Sequence, residues 1–329
     1  YIEANPSFIK PKHRKNEILG FLQQPLNDLC ISRPKERLNW GIELPFDKKY
    51  VTYVWFDALI NYITAAGYNK KTKNVEKWWP ASCHLIGKDI LTTHAVYWPT
   101  MLFSAGIDLP HSIFAHGWWL MEDAKMSKSI GNVINPMDLL DTYGVDSFRY
   151  YLMREMVLGH DSNFTIESFK KRYNSDLAND FGNCFSRVTT LINKNFNGII
   201  PKTGTLDNLD HKIKSKGQAL PDLVSNMIDN MRLNEAIEEI MQYVRSVNKY
   251  MEKTAPWKII KEDKYTAGKI LYVSCEALRL SAVLLSPIMP HRTKTMLDIL
   301  NVKGGNPSWG KLPSGNKIKE HTPIFPRIK

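Results

Sequence analysis

Two lysines, Lys125 and Lys128, stand three residues apart among small hydroxyl side chains in Lys125-Met126-Ser127-Lys128-Ser129, which runs on into Ile130-Gly131-Asn132. That composition suits a loop that closes over phosphates, where fixed ammonium groups stabilise the negative charge growing on a departing pyrophosphate. An exposed basic turn is the plainer alternative. Upstream, Gly87-Lys88-Asp89 ends an apolar run and opens a helical pattern. A glycine there lets the backbone approach a ligand at the carboxyl end of a parallel strand, where such folds bind. Residues 51–62, VTYVWFDALINY, mix aromatic and small apolar side chains that fit a flexible, polarizable thioether, or that serve simply as core. Further on, Asn179, Asn183 and Arg187 recur at i, i+4 and i+8, with Leu177, Phe181, Phe185, Val188 and Ile192 roughly opposite. Such a stripe can hydrogen-bond splayed base edges, and a nearby aromatic such as Trp257 can stack a base. Each of these features read alone is also compatible with a solvated helix face or a core-capping ring.

The elements that must hold these residues change character near residue 160. Before it, strand-like runs alternate with helical patterns: 51–55 then 57–66, 84–87 then 89–105, and 112–119 before a loop and 137–143. Strand followed by helix, repeated, predicts a parallel sheet covered by helices. After it, helical patterns dominate at 166–195, 220–231, 233–251, 267–285 and 292–300. In 233–251 the apolar positions Leu233, Ala236, Ile237, Ile240, Met241, Val244, Val247 and Met251 keep the spacing of one helical face. A helix bundle is expected there, with 198–209 as a loop and the chain after Asn301 as a surface wrap. The fold class is therefore α/β followed by all-α, in two domains, 1–160 and 161–329.

With 329 residues, 43% of them hydrophobic, the chain can bury cores for both domains. Its apolar runs fall well short of the roughly 20 residues of a membrane span, so a protein of the cytoplasm or an organellar matrix, with no membrane partner, is expected. Cys30, Cys83, Cys184 and Cys275 form no C-x-x-C pair, so neither a disulfide framework nor a metal site is read from them, and all four are expected to be buried apolar groups. The formal charge of +11 favours polyanionic partners without specifying one.

Together the lysine string, the 51–62 segment, His84-Leu-Ile-Gly87-Lys88-Asp89-Ile90-Leu-Thr-Thr-His94 and the set Asn183, Arg187 and Trp257 resemble the methionyl-tRNA synthetases, class I enzymes. The resemblance covers most of the chain, to the ending Phe325-Pro326-Arg327-Ile328. It implies the later half of a Rossmann-like nucleotide-binding domain and an α-helical anticodon-binding domain. It also implies ATP-dependent attachment of methionine to initiator and elongator tRNAs through methionyl-adenylate. By the same resemblance Trp55, Ala58, Leu59, Tyr62, Ile90 and His94 hold methionine, although relatives often carry proline where Leu59 stands. Gly87, Asp89, His116, Lys125 and Lys128 serve ATP, with Lys125, Lys128 and Asp89 catalytic, and Arg33 is a weaker candidate for the active site. Asn183, Arg187 and Trp257 read the anticodon. Magnesium accompanies ATP.

The pattern departs from the family at the front. No H-x-G-H signature and no cysteine-bearing insertion is found, and residues 1–47 look like the end of that insertion. Zinc would belong to the absent insertion. A longer chain than these 37.9 kDa is expected, because the piece alone would adenylate poorly and leave part of the sheet unpaired. A monomer is expected, since no appended dimerisation domain follows. The alternatives are a class I synthetase for leucine, isoleucine, valine or cysteine, and a noncatalytic tRNA-binding module.

Overall fold

The computed structural model describes residues 1–68, 74–121, 124–125 and 134–328. The chain forms two compact units, Tyr1–Trp118 with Gly159–Asp161, and Trp119–Leu158 with Ser162–Lys329.

The first unit is built on a parallel three-stranded sheet. Its strands are β1 (Ile9–Lys10), β4 (His84–Gly87) and β5 (Ile113–His116), in the order β1-β5-β4. In the middle strand Ile113, Phe114 and Ala115 are all buried, the continuous apolar run that a parallel strand covered on both faces requires. Within residues 1–47, β1 joins this sheet, and Phe8, Ile9 and Ile18 of the following helix α1 (Lys12–Leu22) enter its core.

The run at 51–55 was expected to feed the parallel sheet, and here the structure differs. Tyr50–Thr52 is β3, paired antiparallel with β2 (Ser32–Pro34) in a separate hairpin, and Trp55 already lies in helix α2 (Val54–Ala58). Val51 is fully buried by that pairing, so a strand period of three residues was misread as longer. Helices α3 (Asn61–Ala66) and α4 (Asn74–Trp78) follow.

The helical pattern at 89–105 is present but irregular. It starts as a 3-10 turn at Lys88–Ile90, widens to a π-helix at Thr93–Tyr97 and becomes α5 at Trp98–Ala105. Pro99 has no N–H to give to the preceding turn, and its ring crowds the carbonyl four residues back. The π stretch absorbs both problems and sets the rotation at which His94 leaves the helix.

Within this core His84, from the sheet, is 5% exposed and accepts a hydrogen bond from Trp98 Nε1 (3.2 Å). Burial, with His94 nearby, pulls its imidazole down from 6.5 to about 4.

In the second unit a small sheet carries β6 (Trp119–Met121) between β7 (Ala124–Lys125), antiparallel, and β8 (Ser162–Asn163), parallel. Helices α6 (Pro136–Tyr143) and α7 (Val145–Glu155) separate these strands. The remainder is the expected bundle. Helix α8 (Ile166–Arg172) passes through a π stretch at Tyr173–Gly182 into α9 (Asn183–Phe196). Then come α10 (Asn208–Asp229), α11 (Leu233–Thr254), the short α12 (Pro256–Ile259), α13 (Lys264–Leu285) and α14 (Pro290–Ile299).

Helix α10 begins at Asn208, twelve residues before the sequence pattern placed it. Its polar first half is nucleated by a reciprocal Asp207–Asp210 capping box, and Ile213, Gly217 and Leu220 supply a narrow inner face. At Gly217 a Cβ would come within 2.4 Å of Tyr243 Oη and 2.6 Å of the Trp309 ring, so only glycine lets these side chains close on the helix.

Helix α13 is buried all round from Ala267 to Val283, as a central helix must be. Of its three buried charges, Lys269, Glu276 and Arg279, the last two pair with each other at 2.7 and 2.8 Å. The guanidinium also donates to the carbonyls of Asn306 and Ser308, while Glu276 accepts the Gly310 and Lys311 N–H groups. One ion pair thus ties the chain after α14 onto the bundle. Lys269 makes a second buried link, reaching Asp210 at 2.7 Å and Asp207 at 3.0 Å.

Cys184 and Cys275 are buried as expected, and burial pushes the Cys184 thiol up to about 12. Cys83 is only partly buried and Cys30 is exposed, where its thiol donates to Ser32 O; the expectation of four buried cysteines fails because Cys30 lies in an open loop beside β2. Among the described residues no helix is long and apolar enough to cross a membrane.

Two outcomes follow from these cores. Arg279→Leu leaves Glu276 buried without a counter-charge and should cost about 3–5 kcal/mol in denaturant unfolding; a loss below about 1 kcal/mol would show that the pair does not hold the wrap in place. His84 has a folded pKa below its unfolded value, so the unfolded chain takes up the extra proton between about 4 and 6.5. Its contribution is present above 6.5 and lost as the pH falls toward 4. Melting temperature should therefore fall across that window, and less steeply in His84→Asn; superimposable pH profiles would rule His84 out as the source.

Candidate functional site

Parallel pairing places Gly87, the last residue of β4, opposite His116, the last residue of β5. The chain then turns at once through Lys88–Ile90. A Cβ on Gly87 would sit 2.6 Å from Asp89 Oδ1 and 3.9 Å from His116 Cε1, so the missing side chain is what lets the Asp89 carboxylate fold back over the strand end. Asp89 Oδ1 accepts a hydrogen bond from Trp118 Nε1 (3.2 Å). His116 Nδ1 lies 2.7 Å from Gly117 O, a contact that only a protonated Nδ1 satisfies, so that in the neutral tautomer of this ring Nε2 is the acceptor.

Two residues that sequence reasoning missed complete this cluster. Asp161 Oδ2 accepts from Lys88 Nζ (2.6 Å) and Oδ1 accepts from the Trp118 N–H (2.8 Å). The Lys88 ammonium sits 4.2 Å from the Trp118 ring centroid. The Lys88 hydrogen bond, then that of Trp118, holds the Asp161 carboxyl below its usual range. Gly117 permits the approach, because a Cβ there would be 2.2 Å from His160 O. Asp161 is 73 residues from Lys88, a separation at which no periodicity signals contact.

A second group forms an aromatic wall. Tyr62 Oη lies 2.9 Å from His94 Nε2, and His94 Nδ1 lies 3.0 Å from Ile90 O. Nδ1 must therefore carry the proton and donate to the carbonyl, so Nε2 accepts from the phenol. Trp55 meets the His94 ring edge-on at 6.1 Å, and Tyr62 lies 4.2 Å from the His84 ring. Burial lowers the pKa of His94 and raises that of Tyr62, which keeps both neutral near pH 7. Trp55, Tyr62 and Ile90 are partly buried against the core of this unit; Ala58 is partly buried, and Leu59, 1% exposed, lies inside that core. An open cavity of about 450 Å³ reaches Tyr62 and His84 from the side of Ala66, Trp79 and Cys83, and none of Trp55, Ala58, Ile90 or His94 lines it.

Among the described residues Arg33 has no salt-bridge partner. Its guanidinium stacks 4.0 Å above Tyr53 and donates to Cys30 Sγ and Ser32 O. Lys125 ends β7; its side chain and Lys128, with the rest of the string, lie outside the described residues.

In the second unit the stripe is as expected on its inner face: Leu177, Phe181, Phe185, Val188 and Ile192 are fully buried. Asn179 and Asn183 are exposed and Arg187 is partly so. The Arg187 guanidinium lies 5.0 Å from the centroid of Trp257, which follows the left-handed Ala255 (φ 40°) that ends α11. Two side chains 70 positions apart thus form one cationic, aromatic surface. Among the described residues no group of three or more His, Cys, Asp or Glu is placed to hold a metal ion.

Comparisons with known proteins identify the family. The family described as "tRNA synthetases class I (M)" matches residues 1–189, and "Anticodon binding domain of methionyl tRNA ligase" matches residues 200–326. A methionine--tRNA ligase of Clostridium tetani is 44% identical over 338 residues, covering 100% of this chain and 52% of the relative. That of Caldanaerobacter subterraneus subsp. tengcongensis is 42% identical over 336 residues, with the same coverage. The solved Mycobacterium tuberculosis methionyl-tRNA synthetase in complex with methionyl-adenylate superposes with a TM-score of 0.94 at 38% identity, covering 99% of this chain and 65% of that one. The chain spans about half the length of the curated relatives it matches. Both family descriptions are methionyl, which sets aside the leucyl, isoleucyl, valyl and cysteinyl alternatives. The chain belongs to the methionyl class I tRNA synthetase family.

Proposed function

We propose that the protein carrying this chain joins methionine to its tRNA through a methionyl-adenylate. The observation that carries this reading is the neutral aromatic wall of Trp55, Tyr62 and His94 in the same unit as the Gly87, Asp89 and His116 cluster. In the related Mycobacterium tuberculosis enzyme the ligand is methionyl-adenylate, a molecule with one thioether end and one nucleotide end.

The thioether suits the wall because it is apolar, polarizable and favoured at ring edges. An uncharged His94 avoids placing a buried cation beside it, and Ala58, Leu59 and Ile90 supply the rest of the apolar surroundings. At the strand ends, Gly87 leaves room for the adenosine, Asp89 offers a carboxylate to its polar edge, and His116 Nε2 accepts a hydrogen bond. Lys88 and Asp161 act here by fixing Trp118, which in turn fixes Asp89.

In the first step a methionine carboxylate oxygen attacks the α-phosphorus, the bond to the β-phosphate breaks, and pyrophosphate leaves. Magnesium accompanies the nucleotide. Lys125 and Lys128 stabilise the charge accumulating on the leaving oxygens. In the second, a hydroxyl of the terminal tRNA ribose attacks the methionyl carbonyl and AMP departs. Both steps gain rate chiefly from positioning and electrostatics, without a covalent enzyme intermediate. Asn183, Arg187 and Trp257 read the anticodon, with the indole stacking one base and the guanidinium beside it contributing charge and hydrogen bonds.

Methionine-dependent ATP–pyrophosphate exchange by the full-length protein tests the reading, with leucine and valine inactive. Lys128→Ala should lower that exchange by about 100-fold, whereas exchange with no amino acid alongside retained tRNA binding would favour a noncatalytic binding module. Tyr62→Phe removes the donor to His94 and should raise KM for methionine about 3- to 10-fold; an unchanged KM would take Tyr62 out of the pocket. Trp257→Ala should weaken binding of methionine tRNA by about 1–3 kcal/mol and leave exchange untouched, and equal binding by both proteins would remove Trp257 from the anticodon site.

A further inference from the structure

Many cationic side chains of the helical unit are paired with carboxylates by the fold. Arg154 and Arg245 share Glu238, Arg172 pairs with Glu155, and Arg279 pairs with Glu276. The lysines of α10 and α11 have no such partner among the described residues, and four of them, Lys212, Lys216, Lys249 and Lys253, are exposed along one groove. That groove, of about 520 Å³, lies between the two helices, over a floor of Leu209, Ile213 and Tyr250. No carboxylate lines it. The carboxylate of Asp210, on α10, is fully buried and already engaged by Tyr250 and Lys269.

The spacing makes this arrangement costly for the isolated fold. Lys212 and Lys216 are i, i+4 on α10, and Lys249 and Lys253 are i, i+4 on α11. Like charges at that spacing destabilise a helix, and here two such pairs face one groove. The cavity continues along the helices, sharing Lys216, Ser246 and Lys249 with a stretch of about 630 Å³ that Glu238 and Glu239 also line, so the cationic track has a definite end.

We propose that the α10–α11 groove takes the phosphate backbone of the tRNA, as a contact additional to the base-reading surface at Arg187 and Trp257. Each pair of lysines is one helical turn apart and presents two point charges to successive phosphates, while the apolar floor accepts ribose or an unstacked base. Binding releases counterions from the RNA and relieves the repulsion within each pair. Because these contacts are to backbone, they add affinity without sequence preference. The inference rests on the proposed tRNA reading.

The test is the salt dependence of tRNA binding by the full-length protein and by Lys212→Gln/Lys249→Gln, using methionine tRNA and the same tRNA with an altered anticodon. Lys294→Gln, on α14, serves as the control. The double variant should lose about 1.5 from the slope of log K against log salt, and bind both RNAs on the order of 10-fold more weakly at about 0.1 M salt. Anticodon preference should be unchanged. An unchanged slope with the anticodon preference intact overturns the groove and spares the functional reading. Loss of slope in a protein that shows no anticodon preference does the reverse. An unchanged tRNA slope with lost retention on polyglutamate would assign the groove to acidic protein instead and overturn the proposal.

Discussion

Parallel pairing of β4 with β5 is the constraint on which the first unit depends. It brings the carboxyl ends of two strands level, so that Gly87 and His116 face each other, and everything polar in that unit is arranged from there. Because Gly87 carries no side chain, Asp89 can occupy the space above the strand end. Asp89 is then held by the Trp118 indole, Trp118 by Asp161, and Asp161 by Lys88, the residue between Gly87 and Asp89. The ring of contacts closes on itself, which is why a carboxylate that looks like a surface group in the sequence is held in one place.

The aromatic wall obeys a different rule. Its two histidines and one phenol would be poor neighbours for an apolar ligand if any were charged. Burial pulls the imidazoles down and pushes the phenol up, while Ile90 O and Tyr62 Oη fix which nitrogen of His94 bears the proton. The π-helical turn forced by Pro99 sets the angle at which His94 reaches Tyr62. A backbone irregularity and a desolvation effect thus cooperate in one site.

In the helical unit, α13 plays the organising part. A helix buried on every side can carry charge only if each charge is answered, and Glu276 with Arg279 answer one another and the chain that wraps past them. The same economy runs through the arginines around Glu238. Against that background the α10–α11 groove stands apart, because the four lysines that line it have no carboxylate partner among the described residues, and it is on this contrast that the proposed polyanionic ligand rests.

Sequence by itself determined the periodic and the local. The buried face of α11, the apolar side of α9, the strand at 84–87 and the glycine that ends it were legible, because helical and strand periods are imposed by backbone geometry and appear in the order of residues. Local chemistry that lacks a period was less so: α10 was half missed because its first turns are polar and depend on an Asp207–Asp210 cap, and the short β3 was read as part of the wrong sheet. The contacts themselves were decided by tertiary structure, although the family resemblance had already grouped Tyr62 with His94 and Arg187 with Trp257. Nothing in the spacing of Asp161 and Lys88, Arg187 and Trp257, or Tyr62 and His94 announces contact, since pairs 32 to 73 residues apart are joined by chain topology and by the burial of the apolar residues between them. The charge state of His84 and His94 was likewise beyond the sequence, because desolvation is a property of everything packed around a group.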